Sequence, residues 1–370
     1  MTLPSQATPA AARRRIWTLA WPLILSNITV PLLGLVDTAV VGHLPDPRYL
    51  AGVTLGATLF SFLYWGFGFL RMGTTGLTAQ AAGRENDSEV RNLLGQSLLL
   101  AAGIGLGLIL LSDPLITLGL QWLDGSDAAT ALATEYARIR ILSAPAVLAN
   151  YAILGWFLGQ QHSRVTLAIL ILTNSVNIIL DVLFVFGFGM TVDGVAWATV
   201  VADYTALAFG CWLVGRQLKL LQGRFLRERL LRLLAYRQLF QVNGNLFIRT
   251  LGLLFAMAFF TSRGAVQGDT VLAANAVLMQ FIMLVSYALD GFAHAAEAIV
   301  GRTVGRRRWD EFGSAYSSPA SFCARPGLNL RRHLDVNSQQ HGQSQTCQQC
   351  SHGQNHPHAL KHGRNSPANG

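Results

Sequence analysis

Three carboxylic acids, Asp37, Asp181 and Asp203, stand inside otherwise apolar runs of this 370-residue chain. An ionisable side chain is costly at membrane depth and marks a functional candidate. Asn177 precedes Asp181 by four residues, which puts both on one face of a helix. A carboxyl withdrawn from water favours its neutral form, so it can carry a proton and release it when the site hydrates. With amide and hydroxyl oxygens around it, the same group can instead coordinate a small hard cation such as Na⁺. Either use couples an ion to transport. A plain structural use, bonding a helix end or a Ser/Thr neighbour, stays open for all three. A second polar group comprises Asp290, His294 and Glu297, with Arg249 one apolar run earlier as a candidate partner. It reads either as a second ion-handling patch or as a polar helix end. Proline removes a helical hydrogen bond, so Pro22 and Pro31 give the first run either a static kink or a bending point.

The elements that must position these residues are membrane helices. Charged residues make up 13 % of the chain and hydrophobic ones 51 %, where a soluble domain has about 25 % charged. A helical span needs roughly 20 mostly apolar residues. Eight are expected, at about 16–41, 50–70, 93–120, 139–161, 165–188, 194–218, 240–262 and 271–298; the third is long enough to include an interfacial turn. With the N-terminus inside, eighteen Lys and Arg fall on inner segments and four on outer loops, which predicts a cytoplasmic N-terminus. On that topology Arg71 is an inner-segment residue, Arg138 and Arg140 belong to an outer loop, and the three aspartates sit roughly 7–14 Å below the outer surface at 1.5 Å per residue. The partner is the lipid bilayer.

The formal charge of +9 does not indicate nucleic acid, because the basic residues form short clusters between apolar runs. Residues 216–238 interleave arginines with leucines and read as a helix lying on the inner membrane surface. Four cysteines provide no disulfide framework. Cys347 and Cys350 precede His352, His356 and His358, but only one residue separates Cys350 from His352, and low complexity accounts for them better than zinc does. No cleavable signal peptide is evident. No nucleophile–base pair appears among the spans, so no enzyme is expected, nor a cofactor beyond the coupling ion, nor an obligate protein partner.

A shift of 222 residues lays Leu50-Ala51 on Leu272-Ala273 and Gly83-Arg84 on Gly305-Arg306. This internal repeat fits two parallel halves related by an axis along the membrane normal. The expected organisation is a cytoplasmic segment at 1–15, six spans at 16–218, a cytoplasmic linker at 219–239, the first two spans of a second half at 240–314, and a polar tail at 315–370. The repeat calls for a further span from about 315, where the apolar pattern stops. A shifted reading frame near codon 315 is the expected reason.

The run from Trp21 to Leu44 (WPLILSNITVPLLGLVDTAVVGHL), the segment Arg71-Met72-Gly73-Thr74-Thr75-Gly76-Leu77-Thr78-Ala79-Gln80, Asn177-Ile178-Ile179-Leu180-Asp181 and Tyr287-Ala288-Leu289-Asp290-Gly291-Phe292-Ala293 occur in one order. Together they resemble the multidrug and toxic compound extrusion (MATE) transporters, nearest to the DNA-damage-inducible protein F branch, over residues 13–314. The resemblance implies twelve helices in two six-helix lobes that open alternately to either side. It implies exchange of H⁺ or Na⁺ for organic cations and amphiphilic drugs across a bacterial inner membrane. It implies that Asp37, Asn177 and Asp181, with Thr199 nearby, form a cation-coupling site, and that the first helix bends at Pro22. Asp203 stands where close relatives can carry Glu. Four second-lobe helices lack a counterpart here, so impaired transport, or a membrane fragment with an inactive or regulatory role, is also expected. A lipid-precursor flippase shares the architecture, but its cavity would need several arginines, and Arg249 is nearly alone in the spans.

Overall fold

The computed structural model describes residues 9–123, 126–226, 236–266 and 269–306. Every regular element among them is helical. The tail at 315–370 and part of the expected surface helix at 216–238 lie outside the described residues.

Eight helical stretches follow the eight expected spans in order. The first is α1 (Pro9–Gly42), which runs unbroken through Pro22 and Pro31. The second is α2 (Pro47–Gly66) and α3 (Phe69–Gly83). The third is α4 (Asp87–Leu110), a turn at Leu111, and α5 (Ser112–Leu123). The fourth is α6 (Asp127–Arg140), one 3₁₀ turn (Ile141–Ser143) and α7 (Ala144–Gly159). The fifth is α8 (Ser163–Val182) with a π turn (Leu183–Gly187), and the sixth is α9 (Val192–Leu220). The last two are α10 (Arg237–Val266) and α11 (Asp269–Gly305). Five stretches, Pro47–Gly83, Asp87–Leu110, Asp127–Gly159, Ser163–Gly187 and Val192–Leu220, are long and apolar enough to cross a bilayer, and Ile16–Thr29 is a shorter apolar stretch. The protein is an all-α polytopic membrane protein.

Local chemistry explains the breaks. Asp46 caps α2, its carboxylate accepting from Arg48 N at 2.9 Å and Arg48 Nε at 2.8 Å. The Arg48 guanidinium holds this loop carboxyl below the usual carboxylate range. Pro47 follows at the first helical position, where its missing N–H costs nothing. Pro145, near the start of α7, has no N–H to offer Ile141 O. Ala144 N bonds that carbonyl instead, and the turn tightens to 3₁₀.

Two expectations are corrected here. The second span does not end at residue 70; α3 continues it to Gly83, with Leu70, Thr74, Thr75, Thr78 and Ala81 buried. Arg71 therefore sits among packed helices, not on an inner loop. Likewise α6 and α7 form one stretch, so Arg138 and Arg140 lie on a helix. Arg140, four residues after Tyr136 on the same face, is drawn into the protein.

At the centre is α7, buried nearly throughout. A helix that is apolar all round must be surrounded, and α3, α4 and α9 pack against it. Trp156 is fully buried, and its indole N–H donates to Val90 O at 2.9 Å, which satisfies its polar edge. Gly155 and Gly159 let α3 approach α7 backbone to backbone. A Cβ at Gly159 would meet Thr75 O and Thr78 Cβ at 2.7 Å. Gly159→Leu is therefore expected to cost about 1–3 kcal/mol through overpacking, read as a lower melting temperature in intrinsic tryptophan fluorescence of detergent-purified protein. An unchanged melting temperature would contradict the close α3–α7 approach.

The repeat is legible in the helix ends. The pair α2–α3 covers 47–83 and α11 covers 269–305, the same 222-residue offset at both ends. The two equivalents also touch: Gly83 packs on Arg302 and Gly305, and Gly305 packs on Gln80.

Candidate functional site

The helix α8 packs against both α1 and α9, and its Asn177–Asp181 face points between them. Asn177 and Asp181 are buried. The Asp37 carboxyl of α1 stands beside that of Asp181, close enough for the two to interact directly. Oδ1 of each aspartate is buried and finds no hydrogen-bond partner among the described residues. One turn earlier, Asn174 Nδ2 donates to Thr29 Oγ1 at 2.7 Å and ties α8 to α1 again.

The Asn177 amide fits its surroundings in two orientations. In one, Nδ2 donates to Asp181 Oδ2 at 3.1 Å while Oδ1 accepts from Thr199 on α9 at 3.2 Å. In the other, Nδ2 donates to Thr199 Oγ1 at 3.2 Å, and that hydroxyl donates to Val195 O at 2.9 Å. The first suits an ionised Asp181, which only accepts; the second suits a protonated Asp181, whose hydroxyl donates to the amide oxygen. The site thus brings Asp37, Asn177, Asp181 and Thr199 together from α1, α8 and α9, with the buried Tyr136 of α6 close enough to interact with both carboxyls.

Asp203 is not in this group. Its Oδ2 lies 2.7 Å from Arg140 Nη1, both side chains being largely buried. The Arg140 guanidinium lies over the rings of Phe60 and Tyr64, at 5.7 and 5.3 Å from their centroids. It also donates to Ser143 Oγ, and Asn150 Nδ2 donates to the Asp203 carbonyl at 3.0 Å. Tyr136 lies between the two clusters, close to Arg140 as well as to both carboxyls. Sequence reasoning missed Arg140 and Tyr136. Their four-residue spacing was the available signal, but an apolar window that opens at 139 leaves Tyr136 outside it and Arg140 at its edge.

The second polar patch is rearranged. Glu297 is partly buried and His294 buried, while Asp290 and Arg249 are exposed. Among the described residues Arg249 forms no ion pair with either carboxyl. The cation in contact is Arg71 of α3, whose Nη2 lies 2.7 Å from His294 Nε2. Pro22 is buried in the unbroken α1.

The MatE family model matches residues 22–183, a segment that contains Asp37, Asn177 and Asp181. The chain is 47 % identical over 296 residues to the DNA damage-inducible protein F of Escherichia coli, covering 80 % of this chain and 64 % of that protein. It is 23 % identical over 194 residues to the multidrug export protein MepA of Staphylococcus aureus, covering 51 % and 42 %. Among solved structures, a transporter of the MOP superfamily from Pyrococcus furiosus superposes with a TM-score of 0.76 at 22 % identity over 84 % of this chain and 69 % of that one. A MATE structure in a bent conformation gives 0.77 at 22 % identity, over 86 % and 72 %. These two structures share the fold of this chain over most of its length. Thr199 and Asp203 of α9 lie beyond the matched segment.

Proposed function

We propose that this protein is a cation-coupled antiporter that exports organic cations or amphiphilic drugs by alternating access, in a bacterial inner membrane with its N-terminus in the cytoplasm. The observation that carries the reading is the pairing of the half-buried Asp37 with the fully buried Asp181, with Asn177 and Thr199 around them. Two adjacent carboxyls withdrawn from water can hold and exchange a proton, or can take a Na⁺ between carboxylate, amide and hydroxyl oxygens. The relationship to a multidrug export protein supports the substrate class. Pro22 supplies a point at which α1 can bend to open and close the site. Asp203 serves this site through Arg140, as a fixed counter-charge.

The test is efflux of a fluorescent lipophilic cation from cells lacking their own pumps. Efflux is expected to stop when ionophores collapse both the H⁺ and the Na⁺ gradient, and to return with whichever gradient is restored. Undiminished efflux with both gradients collapsed, or no efflux with both intact, would refute the reading.

A further inference from the structure

The contact between α3 and α11 holds a polar cluster that the carboxyl site does not use. Arg71 Nη2 and His294 Nε2 are 2.7 Å apart. A guanidinium offers only donors, so Nε2 must be the acceptor and carries no proton. The single ring proton then sits on Nδ1, which faces Glu297 Oε2 at 3.8 Å. The ring is 7 % exposed. Beyond it the helices meet almost backbone to backbone: a Cβ on Gly301 would lie 2.7 Å from Ala79 Cβ, and Gly83 and Gly305 pack on each other's helices.

We propose that His294 is a second proton-binding site, and that a proton taken up on Nε2 releases α3 from α11. The proton would occupy the lone pair that Arg71 requires and would set two cations at hydrogen-bond distance. The imidazolium would draw on Glu297 of its own helix, a carboxyl that Arg71 otherwise attracts from α3, so attraction across the contact is exchanged for attraction within α11. Such a trade between two arrangements is what a switch needs. The other groups facing the cluster are few. Asp290 lies one turn away on α11, and Arg71, with Arg249 of α10 farther off and not in ion-pair contact, provides the positive charge that acts on Asp290 and Glu297. Tyr151 of α7 faces Arg71. The part of α1 against this stretch offers Ile16, Leu19 and Ala20, packed on Ala295 and Ile299.

The inference deepens the transport reading, on which its use rests, because α3 and α11 belong to the two repeat halves whose separation would open a path. Its test needs no transport. The full chain, with Cys211, Cys323, Cys347 and Cys350 replaced by Ser, would carry spin labels at Arg84→Cys and Arg306→Cys, on the exposed residues that follow α3 and α11. Electron paramagnetic resonance in nanodiscs would follow the 84–306 distance from about pH 8 to about pH 4, a window that reaches below the ordinary histidine range. A reversible shift to longer distance in acid is expected. His294→Gln, whose amide oxygen still accepts from Arg71 but takes no proton, should keep the short distance throughout. His294→Lys should show the long one throughout; should it not fold, the Gln variant decides alone. No acid shift in the parent, or a shift that persists in His294→Gln, overturns the proposal. A shift in a chain without efflux would keep this inference and remove the transport reading, and efflux without a shift would do the reverse.

Discussion

Asp37→Asn is expected to lower ion-driven efflux roughly 5–150-fold, the range of the coupling free energies that link two sites. The asparagine keeps the shape of the side chain and can still bond Asp181, so α1 and α8 should stay joined. What it removes is one of the two groups that could carry the proton, or one of the two charges that would hold Na⁺. Asp181→Asn should have an effect of the same order, since Asp181 is fully buried, bonded to Asn177 and adjacent to Asp37. The double variant should be little worse than either single one, because residues that act as a unit are not additive. The measurement is uptake of a fluorescent cation into proteoliposomes under an imposed H⁺ or Na⁺ gradient, with substrate binding measured separately. Full gradient-driven transport by either single variant would remove the pair from the coupling step.

Arg140→Gln is expected to destabilise the protein by about 3–5 kcal/mol, the cost of leaving one charge of a buried pair without its partner. The variant leaves Asp203 buried and removes the cation from above Phe60 and Tyr64. Asp203→Asn should cost less, since Arg140 keeps both rings, Tyr136 and Ser143. Replacing both together should recover much of the loss, because no buried charge is then left unpaired. Melting of detergent-purified variants, followed by tryptophan fluorescence, gives the double-mutant cycle. Simple additivity of the two single losses would show that Arg140 and Asp203 do not act as a pair.

The membrane assignment was legible early because hydropathy over 20 residues is a local property. So was the core of the site: Asn177 and Asp181 sit four apart, and a helix of any orientation keeps them on one face. The repeat was visible through Gly83 and Gly305, and the helix ends reproduce its offset. Span edges were less legible. Arg71 and Arg140 read in the sequence as markers of aqueous segments, since a lone arginine in a window lowers its hydropathy whatever lies opposite it in space.

The sequence by itself determined that the chain is helical and membrane-spanning, which residues are ionisable at depth, and which of them share a helix face, because composition and helical period act within a few turns. Only the tertiary structure decided how they pair. Asp37 meets Asp181 across α1 and α8, Asp203 turns instead to Arg140, and His294 finds Arg71 and not Arg249. Those choices depend on which faces of distant helices meet. Close glycine contacts and the burial of α7 set that arrangement, and no spacing within one helix encodes it.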